Sequence, residues 1–168
     1  MKNWHGILKI DHIEHIRNGV TIWEDKQIRN TLHTLGEGFL LQVCFRNDGT
    51  ILPANYYFGL DNRSDIAIDD DFTTLVDEPS SGGYARVPVD SVNAFSIITV
   101  NNIYRAVSPV VTYVASGSGF GPVKSFFMAT SSDNTGILVS SALLSSQVTL
   151  AAGDTLNLKM SMQLHDCP

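Results

Sequence analysis

Several things are scarce in this 168-residue chain, and each scarcity closes a class of function. It has two cysteines, so at most one disulfide can form and a disulfide-stapled scaffold is excluded. Cys44 lies inside the apolar run FLLQVCF and Cys167 near the end of the sequence; they read as a buried hydrophobe and an exposed thiol. Basic residues are few and scattered singly among a formal net charge of −6, so there is no cluster to neutralise phosphates and nucleic acid is not an expected partner. No apolar run is long enough to span a membrane, and Lys2, His5, Asp11 and Glu14 interrupt the start where a signal peptide would need an apolar core. The expectation is a soluble protein made in the cytoplasm, without a membrane partner.

What is present is one domain's length with 43% hydrophobic residues, enough for a real core. The acids crowd into the first half, above all in NYYFGLDNRSDIAIDDDFTTLVDEP, where Arg63 alone offsets Asp61, Asp65, Asp69, Asp70, Asp71, Asp77 and Glu78.

Residues 1–48 read as an N-terminal docking segment made of an arm, a hairpin and a short helix. Asn18-Gly19 between two β-branched runs is a strong hairpin signal. In RNTLHTLGEGFLLQVCFR, Leu32, Leu35, Phe39 and Val43 step as a helix, while Phe39, Leu41, Val43 and Phe45 alternate as a strand. Asn30 or Thr31 is available as an N-cap, which favours the helix.

Residues 49–168 read as an antiparallel β-sandwich, jelly-roll-like. The runs NYYFGL, YARVPV, FSIITV, VVTYVA, VKSFFMA, GILVSSAL and TLNLKMSMQL are separated by the turn makers SSGG, SGSGFGP, SSDNTG and AAGD. In the last run Leu156, Leu158, Met160, Met162 and Leu164 alternate with Asn157, Lys159, Ser161 and Gln163, as expected for one buried and one wet face. Pro88 has no backbone donor and places its run at a sheet edge or bulge.

The candidate chemistry is thin. DHIEH, residues 11–15, suggests a metal, but His12 and His15 are three apart, not four, and on a strand His12 and Glu14 share a face that His15 does not. The acidic stretch lacks calcium-loop spacing, and reads instead as a hydrated connection whose aspartates cap short turns. SGSGFGP lacks the lysine and the helix start of a phosphate loop, and GSGFG does not place its serine as a nucleophile elbow would. The sequon Asn62-Arg63-Ser64 carries little without a secretory signal. No catalytic, cofactor-binding or metal residues are assigned, and the chain is not expected to be an enzyme. Arg86, in GGYAR, either reaches the acidic stretch and holds it by charge-assisted hydrogen bonds or faces outward from an edge strand, with Tyr84 then on the same side. Tyr56, Tyr57, Tyr84 and Trp23 are the aromatics that could stack on a sugar, although alternate β residues of this kind are usually core.

The succession TLHTLGEGFLLQVCF, PANYYFGLDNR, EPSSGGYARVPV, GFGPVKSFFMATS and GILVSSALLSSQVTLAAGDTLNLKMSMQL resembles small virion proteins of tailed bacteriophages over residues 20–164. The resemblance rests on Gly36-Glu37, Tyr56 to Leu60, Gly83 to Arg86 and Gly153-Asp154. It implies a non-enzymatic structural subunit of the virion, made in the host cytoplasm and partnered by other virion proteins and by its own copies, as a trimer or larger ring. An accessory tail, neck or fibre-attachment role is the expectation. Capsid decoration, or a carbohydrate-binding receptor module, is the alternative.

Overall fold

The computed structural model describes residues 4–45 and 49–166, with side chains from residue 9 to 45 and from 49 to 163. Two antiparallel sheets face one another across the main core, and a smaller cluster of Phe127, Ala129 and Leu138 is covered by Phe72 and Leu75. The strands of the two sheets are β1 (Trp4–Arg17), β2 (Val20–Arg29), β3 (Thr31–Leu32), β4 (Asn55–Asp61), β5 (Val87–Asp90), β6 (Ser96–Val100), β7 (Ile103–Val107), β8 (Val111–Val114), β9 (Phe120–Ala129), β10 (Leu138–Leu150) and β11 (Thr155–Asp166). One sheet runs β2-β1-β11-β7-β6, with β8 following β7 along the same side of β11; the other runs β3-β10-β9-β4-β5. The helix α1 (Thr34–Phe45) packs on β10. The expected β-sandwich with one short helix is the observed architecture.

The hairpin forms where Asn18-Gly19 stands. Both residues have positive φ, 52° and 75°, as a two-residue turn matched to strand twist demands. The strand before it is not free to reach outward. β1 is an interior strand, paired to β2 on one side and along nearly its whole length to β11 on the other, with Ile10 opposite Met160 and Ile13 opposite Leu158. Ile10 and Ile13 are wholly buried between the sheets. The arm expected to pair with a neighbour is therefore held by its own chain, and the position-48 boundary falls between α1 and β4, with β1 to β3 and their partners on opposite sides of it.

The helix begins later than its capping residues suggest. Thr31 and Leu32 pair with Ser141 and Ser140 of β10, so the ladder claims them first. The carbonyl of His33 then accepts the first helical bond, from the Glu37 N–H at 2.8 Å. Gly36 decides which face turns inward, because a Cβ there would collide with the Val139 carbonyl. This close approach buries Gly36 and Phe39, with Leu40 and Val43 against the core, and leaves Leu35 exposed. Cys44, one residue past Val43 on the helical wheel, is exposed too, which corrects its reading as a buried hydrophobe; Cys167 lies outside the described residues.

β7 was not anticipated. Asn101 and Asn102 both take positive φ, 51° and 63°, and turn β6 into β7 in the same way that Asn18-Gly19 turns β1 into β2. The alternation of β11 holds from Leu156 to Met160 but not beyond, since Ser161 and Gln163 are buried as well. There β11 has β1 on one side and β7 on the other, and Ser161 donates to Asp11 Oδ1 at 2.7 Å.

Pro88 sits in β5, an edge strand, opposite Tyr57, as its missing donor requires.

Candidate assembly surface

The acidic stretch folds around its lone arginine. Asp61 ends β4 fully buried, and Arg63, two residues on, is 3% exposed. The Arg63 guanidinium donates from Nε to Asp61 Oδ2 at 2.8 Å, from Nη1 to Asp70 Oδ2 at 3.0 Å and to Thr74 Oγ1 at 3.1 Å, and from Nη2 to Ser141 Oγ at 2.8 Å. The second oxygen of Asp61 accepts from the Val76 and Asp77 N–H groups at 3.1 and 2.9 Å. Asp70 Oδ2 also accepts from the Ala67 N–H at 3.0 Å. A buried ion pair survives only when its remaining donors and acceptors are matched, and here the loop backbone matches them. Asp61 and Asp70 are thus internal anchors, not the hydrated loop acids expected. Asp71 does act as a cap: at the start of the single turn Phe72–Thr74 its side chain accepts from the Thr73 hydroxyl at 2.6 Å and from the Thr73 N–H at 2.7 Å, and these bonds, the hydroxyl's first, hold its carboxyl below the usual range.

His33 extends the same cluster. Its Nδ1 lies 3.0 Å from the Ala67 carbonyl and its Nε2 2.9 Å from Ser141 Oγ. A carbonyl only accepts, so Nδ1 carries the hydrogen, and Ser141 donates to a neutral Nε2 while accepting from Arg63. Burial, with Arg63 nearby, holds the imidazole below its usual pKa. A serine against a neutral histidine has the outline of a nucleophile and its base. Both residues are fully buried, though, and a substrate has no route to the hydroxyl.

A second arginine does for the loops what the first does for the core. Arg86 meets Glu78 in a two-pronged pair, Nε to Oε1 at 2.8 Å and Nη2 to Oε2 at 2.7 Å. It donates to the Asp133 carbonyl at 2.5 Å and to Asn134 Oδ1, and its guanidinium lies 5.0 Å from the ring centres of Phe72 and Phe127. Tyr84 reaches the same carboxylate, donating to Glu78 Oε1 at 2.8 Å while accepting from the Leu60 N–H at 2.8 Å. Of the two readings of Arg86, the one that takes it to the acidic stretch is present; Tyr84 joins it there, and Glu78 is the residue they share.

The DHIEH residues separate. His12 and Glu14 point outward, where His12 Nε2 is 3.1 Å from Glu24 and Glu14 accepts from Asn157 at 3.1 Å. His15 points inward, with Nε2 2.7 Å from Asp154 Oδ2. Asp154, in the turn before β11, also takes Arg17 and the Ala151 N–H. Hydrogen bonds from Arg17, outweighing burial, hold its carboxyl far below the ordinary range. Of the aromatics that could stack on a sugar, Tyr56 is buried edge-on between Phe39 and Phe95, its hydroxyl pushed up to about 12 by burial. Tyr84 stacks on Tyr113 at 5.9 Å, and Trp23 packs partly on the core.

The open surface is apolar, and sequence patterning did not single it out. At one end of the sandwich a cavity of about 240 Å³ lies between the sheets, lined by Leu40 and Tyr56 inside and by Leu52, Val92 and Ile97 at its mouth. Val92 is 70% exposed and Ile97 67%. On the chain segments leading to this mouth, Leu41, Phe45 and Ile51 are also exposed. The signal available in the sequence was the stretch SVNAFSIITVNNIY, residues 91–104, which holds no charged residue. The sequence matches no known family model and no curated protein.

Proposed function

We propose that this chain is a structural subunit of a tailed-bacteriophage virion, in an accessory tail, neck or fibre-attachment position, and that it acts by packing against copies and neighbours. The observation that carries the reading is the apolar cavity mouth formed by Leu52, Val92 and Ile97, with Phe45 and Ile51 exposed on the chain segments that lead to it. A group of apolar side chains left in water marks a surface that another protein covers, and the exposed face of α1 adjoins it. The polar clusters point the same way. Arg63, Arg86 and Asp154 spend their hydrogen bonds on the chain's own loops, as suits a rigid building block. The resemblance of residues 20–164 to small phage virion proteins supplies the particle.

The test is quantitative mass spectrometry of purified particles. The expected result is this chain at a copy number in multiples of three or six, accompanied by labelling of the Phe45 and Val92 end by neighbours in cross-linking. Hundreds of copies per particle move it to the capsid surface as a decoration protein. Absence from particles, with the chain abundant in the soluble fraction of infected cells, overturns the reading.

A further inference from the structure

The sandwich has four sheet ends, and three of them are defended against strand addition. β2 carries Glu24, Asp25, Lys26 and Arg29, with Gln27 at a φ of 56° breaking its regularity. β3 is two residues long. β5 holds Pro88 and ends at Asp90, and β8, the other strand with an open side, packs against β5. Charge, irregularity, shortness and proline are the devices by which natural sheets keep edges from pairing. β6 has none of them. Its residues are Ser-Ile-Ile-Thr-Val, the first four are exposed, and Ile97 and Ile98 are 67% and 43% exposed.

We infer that β6 is the seam through which two copies of this chain join, edge to edge and antiparallel, into one continuous sheet. The inference rests on the assembly reading above and names its surface. A strand edge presents N–H and C=O groups at strand spacing, so its natural occupant is another strand. Self-pairing requires a surface that does not repel itself. In a chain of net charge −6, the uncharged run 91–104 is a stretch that two copies can bring together without opposing acids.

The register follows from the hairpin. With a two-residue Asn101-Asn102 turn, Val100 and Ile103 form the first hydrogen-bonded pair, and pairs then alternate. Ile98 is bonded to Arg105 of its own hairpin, while Ile97 and Thr99 turn their N–H and C=O groups outward. A two-fold centred on Ile98 therefore sets Ile97 of each copy against Thr99 of the other and satisfies all of those groups. It also brings the two Ile98 side chains together in a non-bonded pair, with Cα atoms about 4.5 Å apart.

Sedimentation equilibrium of the full chain tests this, with the wild type expected as a concentration-dependent dimer or a higher oligomer built from dimers. Thr99→Pro removes only an outward donor and leaves the bonds to β7 in place; it should raise the dissociation constant of this contact at least tenfold with an unchanged circular dichroism spectrum. In a Cys44→Ser, Cys167→Ser background, Ile98→Cys should form an intermolecular disulfide on mild oxidation, since the expected Cα separation falls in the bridging range of about 4.4–6.8 Å. Ser96→Cys, away from the axis, should not. A wild type that is monomeric at all concentrations, or an oligomer that Thr99→Pro leaves intact and Ile98→Cys fails to link, overturns the seam. The second of these outcomes leaves the virion reading standing, whereas absence from particles removes that reading and leaves the seam to be judged by sedimentation alone.

Discussion

The Arg63 and Arg86 centres are built from the same parts and put to different uses. Each is an arginine facing carboxylate from the stretch between β4 and β5. Arg63 holds two buried aspartates and joins that stretch to β10 through Ser141. Arg86 holds one partly exposed glutamate and clasps the 131–134 turn over two phenylalanine rings. Both guanidinium groups are shielded from water, the side chains being 3% and 5% exposed; what differs is the partner, since Asp61 is fully buried while Glu78 stays partly open to solvent. The difference shows that a cluster of acids says little about function until the location of its counter-charge is known.

The largest expected effect comes from removing the inner cation. Arg63→Leu leaves Asp61 and Asp70 buried without their partner, and loss of one member of a buried pair costs about 3–5 kcal/mol; urea unfolding with unchanged slope should show it. Arg86→Lys keeps the charge but forfeits the fork on Glu78 and the flat contact with Phe72 and Phe127. A loss of about 2 kcal/mol is expected, the scale of a charged hydrogen bond, with the 131–134 turn exchanging amide hydrogens faster while the β10 core stays protected. Equal losses in the two variants would erase the distinction between the centres.

Acid should divide them as well, more gently. His33 belongs to the inner cluster and its pKa is depressed in the folded chain. Its contribution is therefore complete above the unfolded value of about 6.5 and declines as pH falls from there toward the folded value, because the unfolded chain binds the proton first. Chemical-denaturation midpoints between pH 7.5 and 5 should fall in the wild type and fall less in His33→Gln. The Arg86→Lys variant should retain the wild-type slope, since no histidine touches that centre among the described residues.

Local signals were legible. Asn18-Gly19, the Pro88 edge and the alternation of Leu156, Leu158 and Met160 all depend on residues close in sequence or on a rule that ignores distance, whereas local pattern does not separate the two readings of Arg86. The missed features depend on remote partners. Nothing near Trp4–Arg17 announces that β11 will lie beside it, and Thr31 looked like a cap because β10, which claims it, comes a hundred residues later. Asp61 and Arg63 looked hydrated because their burial is created by Ser141 and by the backbone of Val76 and Asp77. The Asn101-Asn102 turn was readable in principle, as two residues that tolerate positive φ between β-branched runs; it lacked only the glycine that makes such turns conspicuous.

Pairing the first long strand with the last one has a temporal cost. While the ribosome works through residues 18–154, the inner face of Ile10 and Ile13 has only the β2 hairpin beside it, and the neighbour that completes the layer begins only at Thr155. Closure of the sheet is thus a late, long-range event of the kind that slows folding, and a nascent chain stalled before Thr155 would display an open, sticky strand to every other copy in the cell.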